Sequence, residues 1–309
     1  MQNTTNKPKV FVVGGPTASG KTALSIELAN ELNCPIINAD SRQVFKELNI
    51  GVAKPTLDEL SQALHHMVSC WDLSKQYSVA DYTYEAQPIL EESLKNFNNV
   101  VVTGGTGFYI KSLFNPLDST PSSDSDLRMS LEALYQEQGI QVLVKKLNKI
   151  DPLAHLKVDI NNYRRVIRAI EMIETSGKTL DSLWNMGSNE INSPFDVYYF
   201  AINHNREDLY NRINERVDIM MNEGLEDEVR SLLKYKTHPA LQSVGYSEFF
   251  DYFDGIRGLN ETIELIKQKS RNYAKRQTTW FKNQLPTTWL PKFEIINKIK
   301  QINNERSTN

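Results

Sequence analysis

The chain has 309 residues, 40% hydrophobic and 24% charged, with two cysteines and a formal net charge of −3. These proportions are ordinary for a soluble globular protein of one large or two smaller domains. No apolar run approaches the roughly 20 residues that span a bilayer. Cys34 and Cys70 have neither metal-ligand spacing nor a disulfide framework, and the slight negative charge leaves any nucleic-acid binding to local basic stripes.

Residues 1–9 are polar and have no signal-peptide core, so a reducing cytoplasm is expected. Residues 10–13, Val-Phe-Val-Val, read as a buried strand. The run Gly15-Pro16-Thr17-Ala18-Ser19-Gly20-Lys21-Thr22 follows and fits the P-loop pattern G-x-x-x-x-G-K-[ST]. Residues 21–32 then read as an amphipathic helix, with Leu24, Leu28 and Leu32 at helical spacing. Such a loop turns backbone N–H groups toward a phosphate at a helix N-terminus. Lys21 adds a point charge, and the Thr22 hydroxyl suits a magnesium ion. A bound diphosphate or triphosphate is therefore expected. A P-loop alone does not name the reaction.

A second short strand over 35–39 ends at Asp40, in Asp40-Ser41-Arg42-Gln43. Asp is a favoured N-cap, and capping a following helix is the simpler reading. Beside a bound phosphate, however, a carboxylate is costly unless it meets a metal or a proton to abstract, which favours a functional Asp40. His65-His66 read as structural, since adjacent residues on a regular element cannot share one face. A third strand over 100–103 ends in Gly104-Gly105-Thr106-Gly107. A P-loop motor usually carries a magnesium-binding Asp there. The glycines fit a small-molecule kinase or a transferase, and are expected to let a substrate approach the backbone.

Residues 116–126, rich in Pro, Ser and Asp, read as a linker. Residues 126–179 then read as helical with no convincing strand. Arg164 and Arg168 share a face there with Arg165 beside them, and a solvated face or a phosphate contact are equally open. Residues 198–202 form a fourth strand. In the helical stretch 206–235, Arg212 and Arg216 lie one turn apart; they could fold over phosphates, but surface pairing with Glu207, Asp208 or Glu215 is the safer reading. A last helical stretch over 260–282 carries Lys267, Arg271 and Lys275 at steps of four, with Lys269 and Arg276 close by, a second basic stripe suited to a polyanion. Trp71, Trp280 and Phe281 read as core aromatics. Residues 301–309 are polar and expected to fray.

Strands alternating with helices imply a parallel sheet covered on both faces. Ligands bind beyond the carboxyl ends of such strands. The P-loop, Asp40 and the glycine-rich turn should therefore line one cleft.

In this order the motifs resemble the bacterial tRNA dimethylallyltransferases, over nearly the whole chain. The resemblance is carried by the P-loop, Asp40-Ser41-Arg42-Gln43-Val44-Phe45, Gly51-Val52-Ala53-Lys54-Pro55 and His65-His66. Tyr77-Ser78-Val79-Ala80-Asp81-Tyr82 and Gly104-Gly105-Thr106-Gly107-Phe108-Tyr109 extend it. Arg168-Ala169-Ile170-Glu171, Ser176-Gly177-Lys178, the helix with Arg212 and Arg216, Val244-Gly245-Tyr246 and Tyr273-Ala274-Lys275-Arg276-Gln277-Thr278-Thr279-Trp280 complete it. The resemblance implies transfer of a dimethylallyl group from dimethylallyl diphosphate to N6 of the adenosine 3′-adjacent to the anticodon, with release of diphosphate. It implies a P-loop NTPase-like parallel sheet flanked by helices, formed by residues 1–118 and 196–309, and an inserted all-helical tRNA-binding domain over 119–195. It implies catalytic roles for Asp40, Thr17 and Arg216, diphosphate binding by Gly15 to Thr22, and Mg2+ at Thr22. It places tRNA contacts at Asp40, Ser41, Arg42, Gln43, Thr106, Arg128, Arg164, Arg165, Val166, Ile167 and Arg168. The partners implied are the tRNA anticodon stem-loop and dimethylallyl diphosphate, with no membrane and a monomeric enzyme. Gln242 and Ser247, where many relatives carry basic residues, depart from the pattern. An adenylate isopentenyltransferase acting on free AMP, a kinase of the shikimate-kinase type and a non-catalytic RNA-binding protein remain alternatives; the helical insert and the basic stripe favour tRNA.

Overall fold

The computed structural model describes residues 7–115, 124–185 and 193–304. In chain order the elements are β1 (Lys9–Gly14), α1 (Lys21–Leu32), β2 (Ile36–Asn38), α2 (Leu57–Gln62), β3 (His65–His66), α3 (Val79–Asn96), β4 (Asn99–Gly104) and α4 (Gly107–Phe114). Then come α5 (Ser125–Gln138), α6 (Ile140–Ile150), α7 (Tyr163–Ser176), α8 (Leu180–Asn185), β5 (Asp196–Ile202) and α9 (Arg206–Asn222). The chain closes with α10 (Leu225–Ser231), α11 (Ser247–Phe253), α12 (Leu259–Gln284), β6 (Thr288–Leu290) and α13 (Lys292–Asn304). It divides into two compact units: one runs to Phe114 and resumes at Ser193, and the other is the helical stretch between them.

The first unit is built on a six-stranded sheet in the order β3-β2-β4-β1-β5-β6, with every pairing parallel. β1 and β4 are buried along their whole length, as parallel strands covered on both faces should be. Successive side chains of β1 point to opposite faces. Val10 and Val12 join Val100, Val102, Tyr82 and Leu90 of α3, Ile110 of α4 and Phe281 of α12. Phe11 and Val13 join Leu24 and Leu28 of α1 and Ile295 and Ile299 of α13 on the other face. A third cluster packs Val44, Phe45 and Leu48, from the loop after β2, against Val217, Val229, Phe249 and Ile266.

The four strands expected from the sequence are present, each extended or trimmed by one or two residues. Two more were missed. β3 has two residues and β6 three, too short for the apolar alternation that marks a strand. His65 and His66 therefore serve as an edge strand, paired with Ile36 and Ile37. The expected fraying over 301–309 is corrected for 301–304, which are the last turn of α13; the rest of that stretch lies outside the described residues, as does 116–123 of the expected linker. The Tyr77-to-Tyr82 motif marks a helix start. Ser78 Oγ accepts from Asp81 N at 3.2 Å while Asp81 Oδ2 accepts from Ser78 N at 2.7 Å, a reciprocal capping box for α3.

The second unit holds α5 to α8 around Leu131, Leu143, Leu147, Val166, Ile167, Ile170 and Leu180. It contains no strand among the described residues.

Candidate active site

The P-loop joins β1 to α1. Gly20 is the N-cap of α1 at φ +88°, a left-handed backbone that favours glycine, and it supplies no side-chain cap. The first-turn N–H donors are thus left for a ligand. Ser19 Oγ is buried with no hydrogen-bond partner among the described residues, a second vacancy that suits phosphate oxygens. The loop is held through its carbonyls, from within and from β5's far end and α9. Lys21 Nζ donates to Pro16 O at 2.6 Å, Arg212 Nε to Ala18 O at 2.8 Å, and His204 Nε2 lies 2.8 Å from Ser19 O.

A cleft of about 1100 Å³ opens at the carboxyl ends of the strands, lined by Thr17 to Thr22, Asp40 to Gln43, Gly104, Gly105, Arg212, Arg216 and Arg276 among others. Gly15, Pro16 and Thr106 are not among its lining residues. Burial pushes the Lys21 ammonium down to about 8, helped by the Arg216 charge and opposed by Asp40. Burial also lowers Arg216, and neighbouring Arg212 adds to the effect. Two guanidinium groups and an ammonium held together are costly without an anion, so the cleft is prepared for one. The expected surface pairing of Arg212 and Arg216 with Glu207, Asp208 or Glu215 is corrected: among the described residues neither arginine makes such an ion pair, because both turn toward the P-loop.

Asp40 is both cap and open carboxylate. Its Oδ1 accepts from Arg42 N at 2.9 Å and Gln43 N at 3.4 Å, closing a turn rather than starting the helix first expected. Oδ2 takes no hydrogen bond among the described residues. Thr106 fixes the turn from β4's end: its Oγ1 accepts from Ser41 N at 2.9 Å and its N–H donates to Ala39 O at 3.1 Å. Gln43 Nε2 donates to Val52 O and Ala53 O, which ties it to the loop before α2. That loop is held from α10, where Glu228 accepts from the N–H groups of Asn49, Ile50 and Gly51 and from Tyr246 Oη at 2.6 Å.

The glycines at the end of β4 have a structural use that the sequence did not show. A Cβ on Gly104 would fall inside contact with the Ala39 backbone, at 2.9 Å from Ala39 Cα; one on Gly105 would strike the Gln277 amide, and one on Gly107 the Trp280 indole. Their bare backbone makes room for α12 and for Ala39, while Gly104 and Gly105 also line the cleft. Gln277 fills the space: its Oε1 accepts from Thr17 N and its Nε2 donates to Gly105 O, both at 2.9 Å. The sequence signal for Gln277 and Glu228 was slight, since neither residue type marks a site and their partners lie far away in the chain.

Three members of the basic stripe on α12 also brace the fold. Lys267 pairs with Asp218 at 2.8 Å, Lys269 with buried Glu248 at 2.9 Å, and Arg271 donates to Asn214 Oδ1 at 2.6 Å. In the helical unit, buried Glu171 holds Arg128 at 2.7 Å and Arg168 at 3.0 Å. Val166 and Ile167 sit in the core of that unit, so their side chains cannot meet RNA, a correction that follows from the amphipathic turn they occupy. Arg164 and Arg165 stay on the surface beside Tyr163, which stacks on Tyr135 at 4.1 Å.

Among the described residues no group of three His, Cys, Asp or Glu is placed to hold a metal ion. The Thr22 hydroxyl and the Asp40 carboxylate line the same cleft. Few protein oxygens beside a phosphate site are the donor set that suits magnesium, which takes its remaining ligands from phosphate and water.

Comparison with known proteins places these features. The family model described as IPP transferase matches residues 43–284. The tRNA dimethylallyltransferase of Cytophaga hutchinsonii is 41% identical over 286 residues, 93% of each chain. That of Halalkalibacterium halodurans is 39% identical over 303 residues, 96% of each chain. The crystal structure of the full-length tRNA isopentenylpyrophosphate transferase from Bacillus halodurans superposes with a TM-score of 0.70 at 38% identity, covering 97% of this chain and 98% of that one. A eukaryotic dimethylallyltransferase described as acting on tRNA gives 0.77 at 28% identity, covering 97% of this chain and 77% of its own.

Proposed function

The chain belongs to the IPP transferase family, and from that premise we propose that it transfers a dimethylallyl group from dimethylallyl diphosphate to N6 of the adenosine 3′-adjacent to the anticodon of tRNA, releasing diphosphate. One observation carries the reading. The uncapped P-loop with Lys21 and Arg216, and the open Oδ2 of Asp40, line a single cleft. A charged leaving group and a proton acceptor are what this displacement needs. Membership of the family sets the kinase and the non-catalytic readings aside.

The allylic C1–O bond breaks and its electron pair leaves with the diphosphate. The P-loop N–H groups, Lys21 and Arg216 hold the charge that gathers there. The Thr17 hydroxyl bonds near the bridging oxygen. As the N6–C1 bond forms, N6 gives up a proton to Asp40 Oδ2, while Oδ1 keeps the carboxylate oriented through its turn. The exocyclic amine is a poor nucleophile, and orienting it matters as much as deprotonating it. The adenosine must leave its stack to reach the cleft. A divalent cation, magnesium in this reading, would bind at Thr22 and neutralise the leaving diphosphate.

The exposed Arg164 and Arg165, with the half-exposed Arg128 and Arg168, form the RNA-binding face of the helical unit. In this reading the working unit is a monomer. No helix among the described residues is long and apolar enough to cross a membrane, and a tRNA acceptor puts the enzyme in the cytoplasm.

The test is transfer of label from radiolabelled dimethylallyl diphosphate, with magnesium, to unmodified tRNA, to AMP or to no acceptor. Label in tRNA is expected, and label in AMP alone would overturn the choice of acceptor. Asp40→Ala should lose turnover and keep tRNA binding; full activity would remove Asp40 as the base.

A further inference from the structure

Two halves of the cleft must be held at a fixed separation for one atom to attack another. The electrophile's half is the P-loop, with Thr17. The nucleophile's half is the turn with Asp40. They sit on different strands, β1 and β2, with β4 between them in the sheet. Asp40's turn hangs from the end of β4 by Ala39 N to Thr103 O at 2.6 Å, Thr106 N to Ala39 O at 3.1 Å, Ser41 N to Thr106 Oγ1 at 2.9 Å and Thr106 Oγ1 to Ser41 Oγ at 3.2 Å. Thr106 follows Gly105. The carbonyl of Gly105 and the N–H of Thr17 are joined by one side chain, the Gln277 amide, with both bonds at 2.9 Å.

We infer that Gln277 is a positioning residue whose single amide, beyond the end of the β1–β4 ladder at Gly14 and Gly104, fixes Thr17, at the leaving diphosphate, relative to the turn that aims Asp40. The inference rests on the transfer reaction proposed above. The chemistry of the residue supports it. The Thr17 N–H needs an acceptor and the Gly105 carbonyl needs a donor. Among side chains of this reach glutamine supplies both from one planar group that stays uncharged at every pH. A glutamate could accept from Thr17 but would face the Gly105 carbonyl with a like partial charge. A lysine could donate to Gly105 but not accept from Thr17.

The placement is also enforced. Gln277 is 6% exposed at the edge of the cleft, so both bonds of its amide are costly to lose. Phe281, one turn further along α12, packs in the core on β1 and β4, and Trp280 lies over Gly107. The helix thus enters the site as a rigid bar, and the amide is its tip. Gly105 has to lack a Cβ because that atom would occupy the place of Gln277 Nε2. With the amide removed, the next neighbour of such a Cβ is Gly15 O at 3.7 Å, an ordinary contact. Gly105 and Gln277 are therefore two ends of one device, and substitutions at the two positions should not add.

The experiment compares Gln277→Met, Gln277→Glu, Gln277→Ala, Gly105→Ala and the Gly105→Ala/Gln277→Ala pair with the unsubstituted protein. It measures kcat at saturating dimethylallyl diphosphate and tRNA, and the Kd of each substrate alone. A displacement of about 1 Å between reacting groups lowers the rate about 100-fold. Gln277→Met, which keeps the packing, is expected to lose about 30- to 100-fold in kcat while each Kd stays within about threefold. Gln277→Glu should fall with it, and the double variant should be no slower than Gln277→Ala. Unchanged kcat with only a lowered Tm would reduce Gln277 to a core residue. A raised Kd for dimethylallyl diphosphate with kcat intact would make it a ligand contact, and additive losses at 105 and 277 would break the link between them. Amide exchange at Thr17 in the ligand-free protein reads the clamp without turnover: it should quicken in Gln277→Met, and unchanged exchange would overturn the proposal. If the unsubstituted protein transfers nothing yet exchange behaves as expected, the reaction assigned is wrong and the clamp stands.

Discussion

Lys21 should make the proposed diphosphate site sensitive to pH in a way that can be worked out in advance. Its ammonium is held down to about 8, chiefly by burial, then by the Arg216 charge, with Asp40 pulling the other way. A bound diphosphate monoester is a strong anion and must raise that value again, since it favours the charged form. Below the free-state value Lys21 already carries its proton, and binding takes up none. Above it, binding must first restore the proton, so affinity falls by one decade per pH unit. The ligand's own last proton leaves near about pH 6 and does not interfere. Affinity should be level up to about pH 7.5 and about tenfold weaker one unit above the break, where about one Lys21 in ten is protonated.

The neighbours move the break in opposite directions. Arg216→Met removes a charge that lowers Lys21 and should shift it upward. Asp40→Asn removes one that raises it and should shift it downward. Lys21→Arg, which stays charged throughout, should abolish it. The assay is calorimetric titration of dimethylallyl diphosphate without tRNA between pH 6.5 and 9.5. An affinity that stays flat to pH 9.5, or a break that survives in Lys21→Arg, would refute the assignment of the charge balance to Lys21.

Gly104→Ala should cost about 1–3 kcal/mol in stability, because its Cβ meets rigid Ala39 backbone, and the turnover that survives should fall as Asp40 is pushed aside; a variant with the parent's Tm and kcat would contradict the contact. Glu228→Ala strips an acceptor from three backbone N–H groups and the Tyr246 hydroxyl. It is expected to lose about 2–3 kcal/mol by chemical denaturation, and a loss under about 0.5 kcal/mol would mean that the loop holds without its clamp. Arg165→Ala should weaken tRNA binding and reduce the slope of log K against log salt by about 0.7, whereas an unchanged slope returns Arg165 to a solvated face. Arg128→Ala should cost more stability than Arg165→Ala in thermal melts, since it strips a partner from buried Glu171; equal melts would show the pair to be dispensable.

Features made by neighbours in the chain were legible without coordinates. Gly15 to Thr22 encode a loop because the turn, the lysine and the helix start lie within eight residues, and spacing there is geometry. α1 and the Asp40 strand end were legible for the same reason. Charge patterns on helices were less informative. Lys267, Lys269 and Arg271 look like a polyanion footprint in one dimension, yet each bonds to a side chain of the closing half of the chain. Val166 and Ile167 lie between surface arginines in sequence and face inward in the fold, because a helix turns its residues through about 100° each.

The sequence by itself determined that a P-loop motif stands at the first strand end, that a carboxylate ends the second, and that parallel strands bring both to one rim. Local spacing and hydrophobic period are sufficient for that. Only the tertiary structure decided what holds the two apart at a working distance. Thr17 and Gln277 are 260 positions apart, and Gly105 and Gln277 are 172, so no local pattern could join them. The space beside Gly105 and Gly107 proved to hold side chains of α12. The backbone is bare at 105 and 107 because a helix from the far end of the chain, packed by Phe281 and tipped by an amide, must occupy that space.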